Sequence, residues 1–110
     1  MVKQGSIIKI NFDPVIGNEQ AGYRPAVVLS NNFVLTKTNI VSICPITKKQ
    51  GKTALNVLLD GRTATQGAVL CAHSKSVDIN KRQYTIIGEL PKDKPEEIIN
   101  TTISIITPSE

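Results

Sequence analysis

The chain has 110 residues, of which 40% are hydrophobic and 20% are charged, a globular composition that argues against disorder. Fifteen Ile, nine Val and ten Thr favour strands and make a helical bundle a poor fit. No apolar run approaches the roughly 18–20 residues of a membrane span, and no signal peptide is apparent. We therefore expect a single cytoplasmic domain over residues 1–110, without contact to a membrane.

The charge is distributed unevenly along the chain. Residues 1–88 carry eleven Lys and Arg against four Asp and Glu, whereas residues 89–110 carry two against five. A basic body predicts an anionic partner, nucleic acid first; the alternative is an ordinary surface that happens to be positive. Cys44 and Cys71 sit in apolar segments without metal-ligand spacing, which predicts buried reduced thiols and leaves a disulfide open.

Hydrophobic patterning predicts a series of short strands. Residues 6–12 partly alternate and indicate a first strand, and residues 15–23 form a long loop. The apolar run 26–30 indicates a strand buried on both faces, with Pro25 at its first position and a turn at residues 31–32. Further strands are predicted over residues 39–46, 54–59, 67–70 with a continuation to 77, and 83–90.

The C-terminal segment has a helical pattern. Asp93 is placed to act as N-cap, with Pro95 in the first turn and Glu96 three residues after the cap. Isoleucines then recur at near-helical spacing as far as Ile106. The predicted fold is therefore mainly β (α+β): a small barrel of five to seven strands with a C-terminal helix against it.

Several kinds of catalytic site are missing from the sequence. His73 is the only histidine, so one chain cannot supply a two-imidazole acid–base pair. The carboxylates are not spaced in the sequence as metal ligands usually are, and neither a phosphate-binding loop nor a nucleophile elbow is found. Any catalysis must use a positioned Arg, Thr, Lys or single carboxylate, without a metal or other cofactor.

The segment from Gly17 to Ser30 contains the most specific pattern. It reads Gly-Asn-Glu-Gln-Ala-Gly-Tyr-Arg-Pro-Ala-Val-Val-Leu-Ser, and it closely resembles the Glu-Gln-x-Gly-x-Arg-Pro segment of MazF/PemK-type toxins. Other segments resemble that family in the same order and spacing: Asp13-Pro14, Pro45-Ile46-Thr47, Gly67-Ala68-Val69-Leu70 and Ile87-Gly88-Glu89-Leu90-Pro91. The resemblance covers nearly the whole chain.

The resemblance implies an SH3-like barrel, a homodimer and a bacterial type II toxin that inhibits translation and growth. It implies metal-independent, sequence-specific cleavage of single-stranded mRNA, in which the 2′-OH attacks the phosphate and leaves 2′,3′-cyclic phosphate and 5′-OH ends. It also implies a cognate acidic antitoxin with a disordered tail, and a toxin–antitoxin complex that binds its own operator DNA.

The resemblance also implies roles for individual residues. Arg24 matches the catalytic Arg, Thr47 matches a Thr that binds a phosphate oxygen, and Glu19 matches a carboxylate that acts as base or orients Arg24. Residues expected to bind RNA are Gln20, Tyr23, Lys48, Lys49, Lys52, His73, Lys75 and Ser76. The alternatives, in which these residues have only structural roles, are an Arg24–Glu19 ion pair, a turn position for Thr47 and solvated basic loops.

One segment departs from the family pattern. Relatives usually carry an acidic residue and Gln where this chain has Ala72 and His73, whereas Lys75 and Ser76 keep the basic and hydroxyl positions. His73 could replace the lost acid or base, stack on a nucleobase or fill the amide's place. Two alternative functions stay open: a non-catalytic CcdB-type inhibitor of DNA gyrase, and a weakened relative that only binds RNA or antitoxin.

Overall fold

The computed structural model describes residues 1–12, 22–49 and 51–109. These residues form seven strands and two helices, in the order β1 (Ser6–Asn11), β2 (Tyr23–Val28), α1 (Asn32–Lys37), β3 (Ile40–Thr47), β4 (Asn56–Leu58), β5 (Ala68–Leu70), β6 (Lys75–Asp78), β7 (Tyr84–Glu89) and α2 (Lys94–Ile106). The predicted mainly β fold with a C-terminal helix is confirmed.

The strands form one antiparallel sheet in the order β4-β5-β3-β2-β1-β7. The long strand β3 organises it, because its first half pairs with β6 and its last two residues pair with β5. Within residues 1–12, 22–49 and 51–109, no strand pairing joins β7 to β4 or β6, so the ring of a closed barrel is not completed by hydrogen bonds.

Two apolar clusters lie on opposite faces of the sheet. The first, which we call the helix-side core, includes Ile98 of α2 and consists of Ile7, Val27, Cys44, Ile46, Val57, Leu59, Val69, Cys71, Leu90 and Ile98. The second, the far-side core, consists of Ile8, Ile10, Phe12, Ala26, Val28, Val41, Ile43, Val77 and Ile79. Because β2 and β3 supply side chains to both cores, their sequences are continuous apolar runs, as predicted.

The strand predicted from residue 67 towards 77 is interrupted. Between its pairings with β5 and β6, strand β3 advances by three residues, from Ile46 to Ile43. Over the same distance the opposite segment advances by six residues, from Val69 to Lys75. A 3₁₀ turn over Cys71–His73 takes up the difference. The segment therefore forms two short strands, β5 and β6, and the continuation of one strand to residue 77 was wrong.

Two other local predictions need correction. The turn at residues 31–32 is the start of helix α1, because Asn31 Oδ1 accepts a hydrogen bond of 2.9 Å from Val34 N and caps it. Pro25 is the third residue of β2 instead of the first residue of a strand. Strand β4 is also shorter than predicted, since its ladder spans only Asn56–Leu58.

Helix α2 begins where predicted, but its cap differs. Asp93 precedes the first helical residue, yet its side chain makes no capping hydrogen bond. Its carboxylate instead accepts two hydrogen bonds from Arg62, of 2.8 and 3.0 Å. Ile98 is fully buried in the helix-side core, whereas Ile103 and Ile106 are exposed.

Candidate active site

Arg24 and Thr47 lie at the same end of two neighbouring strands. In the β2–β3 ladder the last pair at this end is Ala26 with Pro45. Strand β2 continues back to Tyr23 and β3 continues to Thr47, so Arg24 and Thr47 each lie two residues beyond that pair. By the alternation of a strand, both side chains lie on the face of the far-side core, beyond the point where its apolar residues end.

Strand β1 supports Arg24 from the other side. Arg24 pairs with Ile10, which in turn pairs with Tyr84 of β7. Ile10 is fully buried, whereas Arg24 is exposed. The backbone that carries the guanidinium is therefore fixed between two strands, while the charged group itself reaches solvent.

Thr47 is held at the end of β3 by two contacts. Its hydroxyl oxygen accepts a hydrogen bond of 3.3 Å from Lys49 N, which turns the chain away from the strand. Its backbone pairs with Ala68, and Gly67 packs directly against its carbonyl group. Thr47 is half-buried, so its position is set by its neighbours.

Lys75 brings a second positive charge to the same face. It pairs with Ile43 of β3, and its Nζ lies 5.6 Å from the centre of the Phe12 ring. Phe12 is buried in the far-side core, two residues beyond Ile10. The cation–π contact therefore directs the Lys75 ammonium group towards the end of the sheet that carries Arg24.

Two predicted site residues, Glu19 and Gln20, lie outside the described residues. The ends of the segment that contains them are described, and they are tied together. Phe12 N donates a hydrogen bond of 2.8 Å to Gly22 O. Phe12 and Gly22, the described residues on either side of it, thus lie together near Arg24.

Tyr23 was predicted to lie in a mobile loop, and the structure corrects this. It is the first residue of β2 and pairs with Asn11. Its hydroxyl donates a hydrogen bond of 2.5 Å to Gln83 Oε1, while 47% of the residue is exposed. The ring is therefore fixed in position with one face available to a ligand.

The three predicted loop lysines differ in their surroundings. Lys48 lines a cleft of about 280 Å³ together with Lys9, Pro25, Ile87 and residues 64–66. Lys49 is exposed beside it. Lys52 Nζ donates a hydrogen bond of 2.7 Å to Asn56 O, so this ammonium group stabilises its own loop. Lys48 and Lys49 follow Thr47 directly in the chain, but the cleft that Lys48 lines includes Lys9 and Pro25 from the opposite face of the sheet.

Neither a metal site nor a membrane-spanning helix is found among the described residues. In the part of the chain that the structure describes, no group of three or more His, Cys, Asp or Glu side chains is placed to hold a metal ion. Among the same residues, neither helix has the length and apolar character needed to cross a bilayer.

Comparisons with known proteins identify the family. A family model described as "PemK-like, MazF-like toxin of type II toxin-antitoxin system" matches residues 3–106. The chain belongs to this family. The family predicted from the motifs is therefore confirmed.

Individual PemK/MazF relatives agree with this result. The endoribonuclease toxin MazF of Escherichia coli K12 is 36% identical over 94 residues, which cover 86% of this chain and 81% of that protein. The crystal structure of MazF from Deinococcus radiodurans superposes with a TM-score of 0.88 at 30% identity, covering 96% of both chains. A MazE–MazF complex from the same organism gives a TM-score of 0.81 at 27% identity, covering 98% of this chain and 97% of that one.

The departure from the PemK/MazF pattern falls on the 3₁₀ turn. Ala72 and His73 line a cleft of about 230 Å³ with Thr53, Leu55 and Leu70, separate from the Arg24–Thr47 pair. Ser76 faces the opposite way from Lys75, and its hydroxyl lies 3.4 Å from that of Ser42. The structure thus brings Arg24, Thr47 and Lys75 to one face, but not His73 or Ser76.

Sequence reasoning missed three residues that position this PemK/MazF site. Phe12 holds Lys75, Gln83 holds Tyr23, and Gly67 supports Thr47. Only Gly67 could be recognised in the sequence, because it is the first residue of a segment that matches the family. The other two partners are distant in sequence, and no spacing rule connects them to the residues that they hold.

Proposed function

We propose that this PemK/MazF-family toxin is a sequence-specific, metal-independent endoribonuclease that cleaves single-stranded mRNA. The observation that carries the proposal is the β2–β3 register, which brings Arg24 and Thr47 to the same end and the same face of two neighbouring strands. A fixed positive charge and a hydroxyl donor on neighbouring strands suit a phosphate group whose negative charge grows during reaction.

In the proposed reaction the 2′ oxygen of the RNA attacks the adjacent phosphorus and the bond to the 5′ oxygen breaks. The products are a 2′,3′-cyclic phosphate and a 5′ hydroxyl. Arg24 stabilises the equatorial oxygens of the phosphorane through its forked donors, and the Thr47 hydroxyl donates to one of them. Loss of one such preorganised donor typically costs about 10²–10³ in kcat.

The reaction also needs a base for the 2′ hydroxyl and an acid for the departing 5′ oxygen. We assign Glu19 to the base or to the orientation of Arg24, because it lies five residues before Arg24 in the motif shared with the family. The acidic residue that relatives carry is replaced by Ala72. We assign the acid to His73, which lines a separate cleft on the 3₁₀ turn.

RNA is positioned by the basic and aromatic groups around this pair. Lys48, Lys49 and Lys75 contact phosphates, and the fixed ring of Tyr23 stacks on a base. Gln20, Lys52, His73 and Ser76 are assigned secondary contacts. Lys52 and Ser76 already have partners within the protein, so their contribution to RNA binding is the smallest.

The decisive experiment incubates the purified protein with a long RNA in EDTA and maps the new 5′ ends. Discrete cuts with 5′ hydroxyls are expected, together with loss of cleavage in Arg24→Ala at an unchanged melting temperature. If the wild-type protein leaves the RNA intact, it is the alternative form of the toxin that only binds RNA or antitoxin. Inhibited supercoiling by DNA gyrase in the same preparation would support the CcdB-type alternative.

We also propose that the toxin is neutralised by an acidic antitoxin whose disordered tail folds onto the basic face. The D. radiodurans relative is found in a complex named MazE–MazF. Coupled folding and binding suits an acidic segment that meets Lys48, Lys49 and Lys75. Co-expression of the neighbouring open reading frame should restore growth, and the purified complex should shift operator DNA.

A homodimer is the last part of the proposal. Helix α2 carries a stripe of isoleucines in which Ile99 is half-buried, Ile103 is 49% exposed and Ile106 is 74% exposed. A second copy of the chain would bury this stripe and lower its contact with water. Light scattering should give twice the chain mass, and Ile103→Lys together with Ile106→Lys should give a folded monomer.

A further inference from the structure

Two cysteines lie in the helix-side core, away from the proposed RNA site. Strand β3 pairs with β5 in a register that sets Ile46 opposite Val69. Cys44 precedes Ile46 by two residues, and Cys71 follows Val69 by two residues, at the start of the 3₁₀ turn that ends this ladder. Although Cys71 opens the 3₁₀ turn, its N–H still donates to Leu55 O at 3.2 Å, which keeps it in line with β4 and β5.

Both side chains point into the helix-side core. Cys44 is 0% exposed and Cys71 is 1% exposed, and both thiols are free. The Cys44 and Cys71 thiols are close enough to share a hydrogen bond.

The shared hydrogen bond makes the two sulfurs unequal. It is the main cause that raises the pKa of Cys44, and burial raises that pKa further. The hydrogen bond from Cys44 is the largest cause that lowers the pKa of Cys71 to about 7; burial acts against it, and Thr102 and Lys52 lower the pKa by smaller amounts. Cys71 is therefore the thiol that ionises first and the better nucleophile of the two.

A cleft of about 340 Å³ lies between β6 and α2, close to the thiols, although neither cysteine lines it. Its lining includes the hydroxyl groups of Ser42, Ser74, Ser76 and Thr102 and the side chains of Ile99 and Ile103. The Thr102 hydroxyl donates a hydrogen bond of 2.9 Å to Ile98 O, which also lies 3.9 Å from Cys71 Sγ. Thr102 therefore lies between the cleft and Cys71.

We propose that Cys44 and Cys71 form a redox modification site that a peroxide closes into an intramolecular disulfide. The Cys71 thiolate attacks one peroxide oxygen, forming an S–O bond as the O–O bond breaks and hydroxide leaves. The Cys44 sulfur then attacks the Cys71 sulfur and forms the S–S bond. The oxygen bound to Cys71 is displaced and leaves as water. Overall two thiols and one peroxide give one disulfide and two waters.

The disulfide would join β3 to the 3₁₀ turn. Cys44 lies three residues before Thr47, and Cys71 directly precedes Ala72 and His73. Closing the ring between residues 44 and 71 restricts the unfolded chain and fixes the turn against β3. The oxidised protein should therefore resist thermal unfolding more than the reduced protein.

The test is mass spectrometry of the folded protein after exposure to hydrogen peroxide. Remaining thiols are blocked with maleimide in denaturant. The expected product is two hydrogens lighter and carries no maleimide, whereas the reduced control carries two. Trypsin should release residues 38–48 joined to residues 63–75, and dithiothreitol should separate them. A rise in melting temperature that dithiothreitol reverses should accompany the change in mass.

Single variants provide the matched controls. Cys44→Ala and Cys71→Ala should each lose both the mass change and the reversible rise in melting temperature. The wild-type experiment does not depend on whether these variants fold. Wild-type protein that keeps two maleimide-reactive thiols, that forms only disulfides between chains, or that carries only sulfinic acid at one cysteine would overturn the proposal. Because RNA is absent, these outcomes are independent of the proposed nuclease activity.

Discussion

Gly67 lies so close to Thr47 that a Cβ atom on residue 67 would sit 2.3 Å from the Thr47 carbonyl oxygen. Its φ of +129° is also a conformation that side-chain-bearing residues rarely adopt. The end of β3 therefore reaches its position only because residue 67 has no side chain. The geometry of the Thr47 hydroxyl depends on a glycine that touches no substrate.

The substitution Gly67→Ala should consequently damage both stability and activity. The backbone of β5 or β3 must shift, which should lower the free energy of unfolding by about 1–3 kcal/mol. RNA cleavage should fall more than the loss of folded protein explains, because Thr47 moves. Urea denaturation and cleavage assays on the same preparation measure the two effects.

Gly51→Ala is the matched control for this prediction. A Cβ atom there meets nothing within 4 Å, so stability and cleavage should stay close to wild type. Equal behaviour of the Gly67 and Gly51 variants would contradict the role assigned to the contact between Gly67 and Thr47.

The Thr47 hydroxyl can be tested without changing the shape of the side chain much. Thr47→Val keeps the β-branched form that suits the end of a strand but removes the donor. We expect kcat to fall about 10²-fold while the melting temperature stays nearly constant. Thr47→Ser, which keeps the hydroxyl, should retain most of the activity. If the valine variant cleaved RNA as fast as wild type, Thr47 would be only a turn residue.

The order of functional residues along the chain was predictable, whereas their supports were not. The apolar runs around Val27 and Cys44 predicted adjacent buried strands, and the motifs marked Arg24 and Thr47. The placement of those two residues at the same end of neighbouring strands depends on the β2–β3 register, which no local pattern encodes. Tyr23 shows the limit, since its hydrogen bond to Gln83 spans 60 positions and draws it out of the predicted loop.

The start of α2 shows how a local rule can be overridden by a distant residue. Asp93, Pro95 and Glu96 fit a capped helix start, and the helix does begin there. Yet Arg62, from the turn after β4, takes the Asp93 carboxylate and also binds Asp60 at 2.8 Å. The sequence pattern predicted the helix correctly, but an ion pair with a residue 31 positions away decides what its cap residue does.

The same arginine predicts how stability depends on pH. Hydrogen bonds from Arg62 hold the pKa values of Asp60 and Asp93 below their ordinary value of 3.8. A depressed folded-state pKa contributes stability above the unfolded value, and this contribution is lost as pH falls through the folded value. We therefore expect Arg62→Gln to melt below wild type at pH 5–7, with the difference shrinking at about pH 2.

These carboxylates are exposed to solvent, so the effect should be small and should weaken with added salt. Lys92→Gln, which removes an exposed charge next to Asp93, is the control and should shift the melting temperature less. Melting curves recorded by circular dichroism across the acid range provide the comparison. A difference between wild type and Arg62→Gln that stayed constant down to pH 2 would contradict the assigned ion pairs.

The loop lysines should separate into two classes by the salt dependence of RNA binding. Each phosphate contact that is lost reduces the slope of log affinity against log salt, by about 0.7 for single strands. Lys48→Ala together with Lys49→Ala should lower the slope by about 1.4. Lys52→Ala should change it little, because its ammonium group is bound to Asn56 O. Binding is measured in the Arg24→Ala background, so that cleavage does not consume the RNA. Equal slopes for the Lys48/Lys49 double variant and the Lys52 variant would contradict the separation of the lysines into two classes.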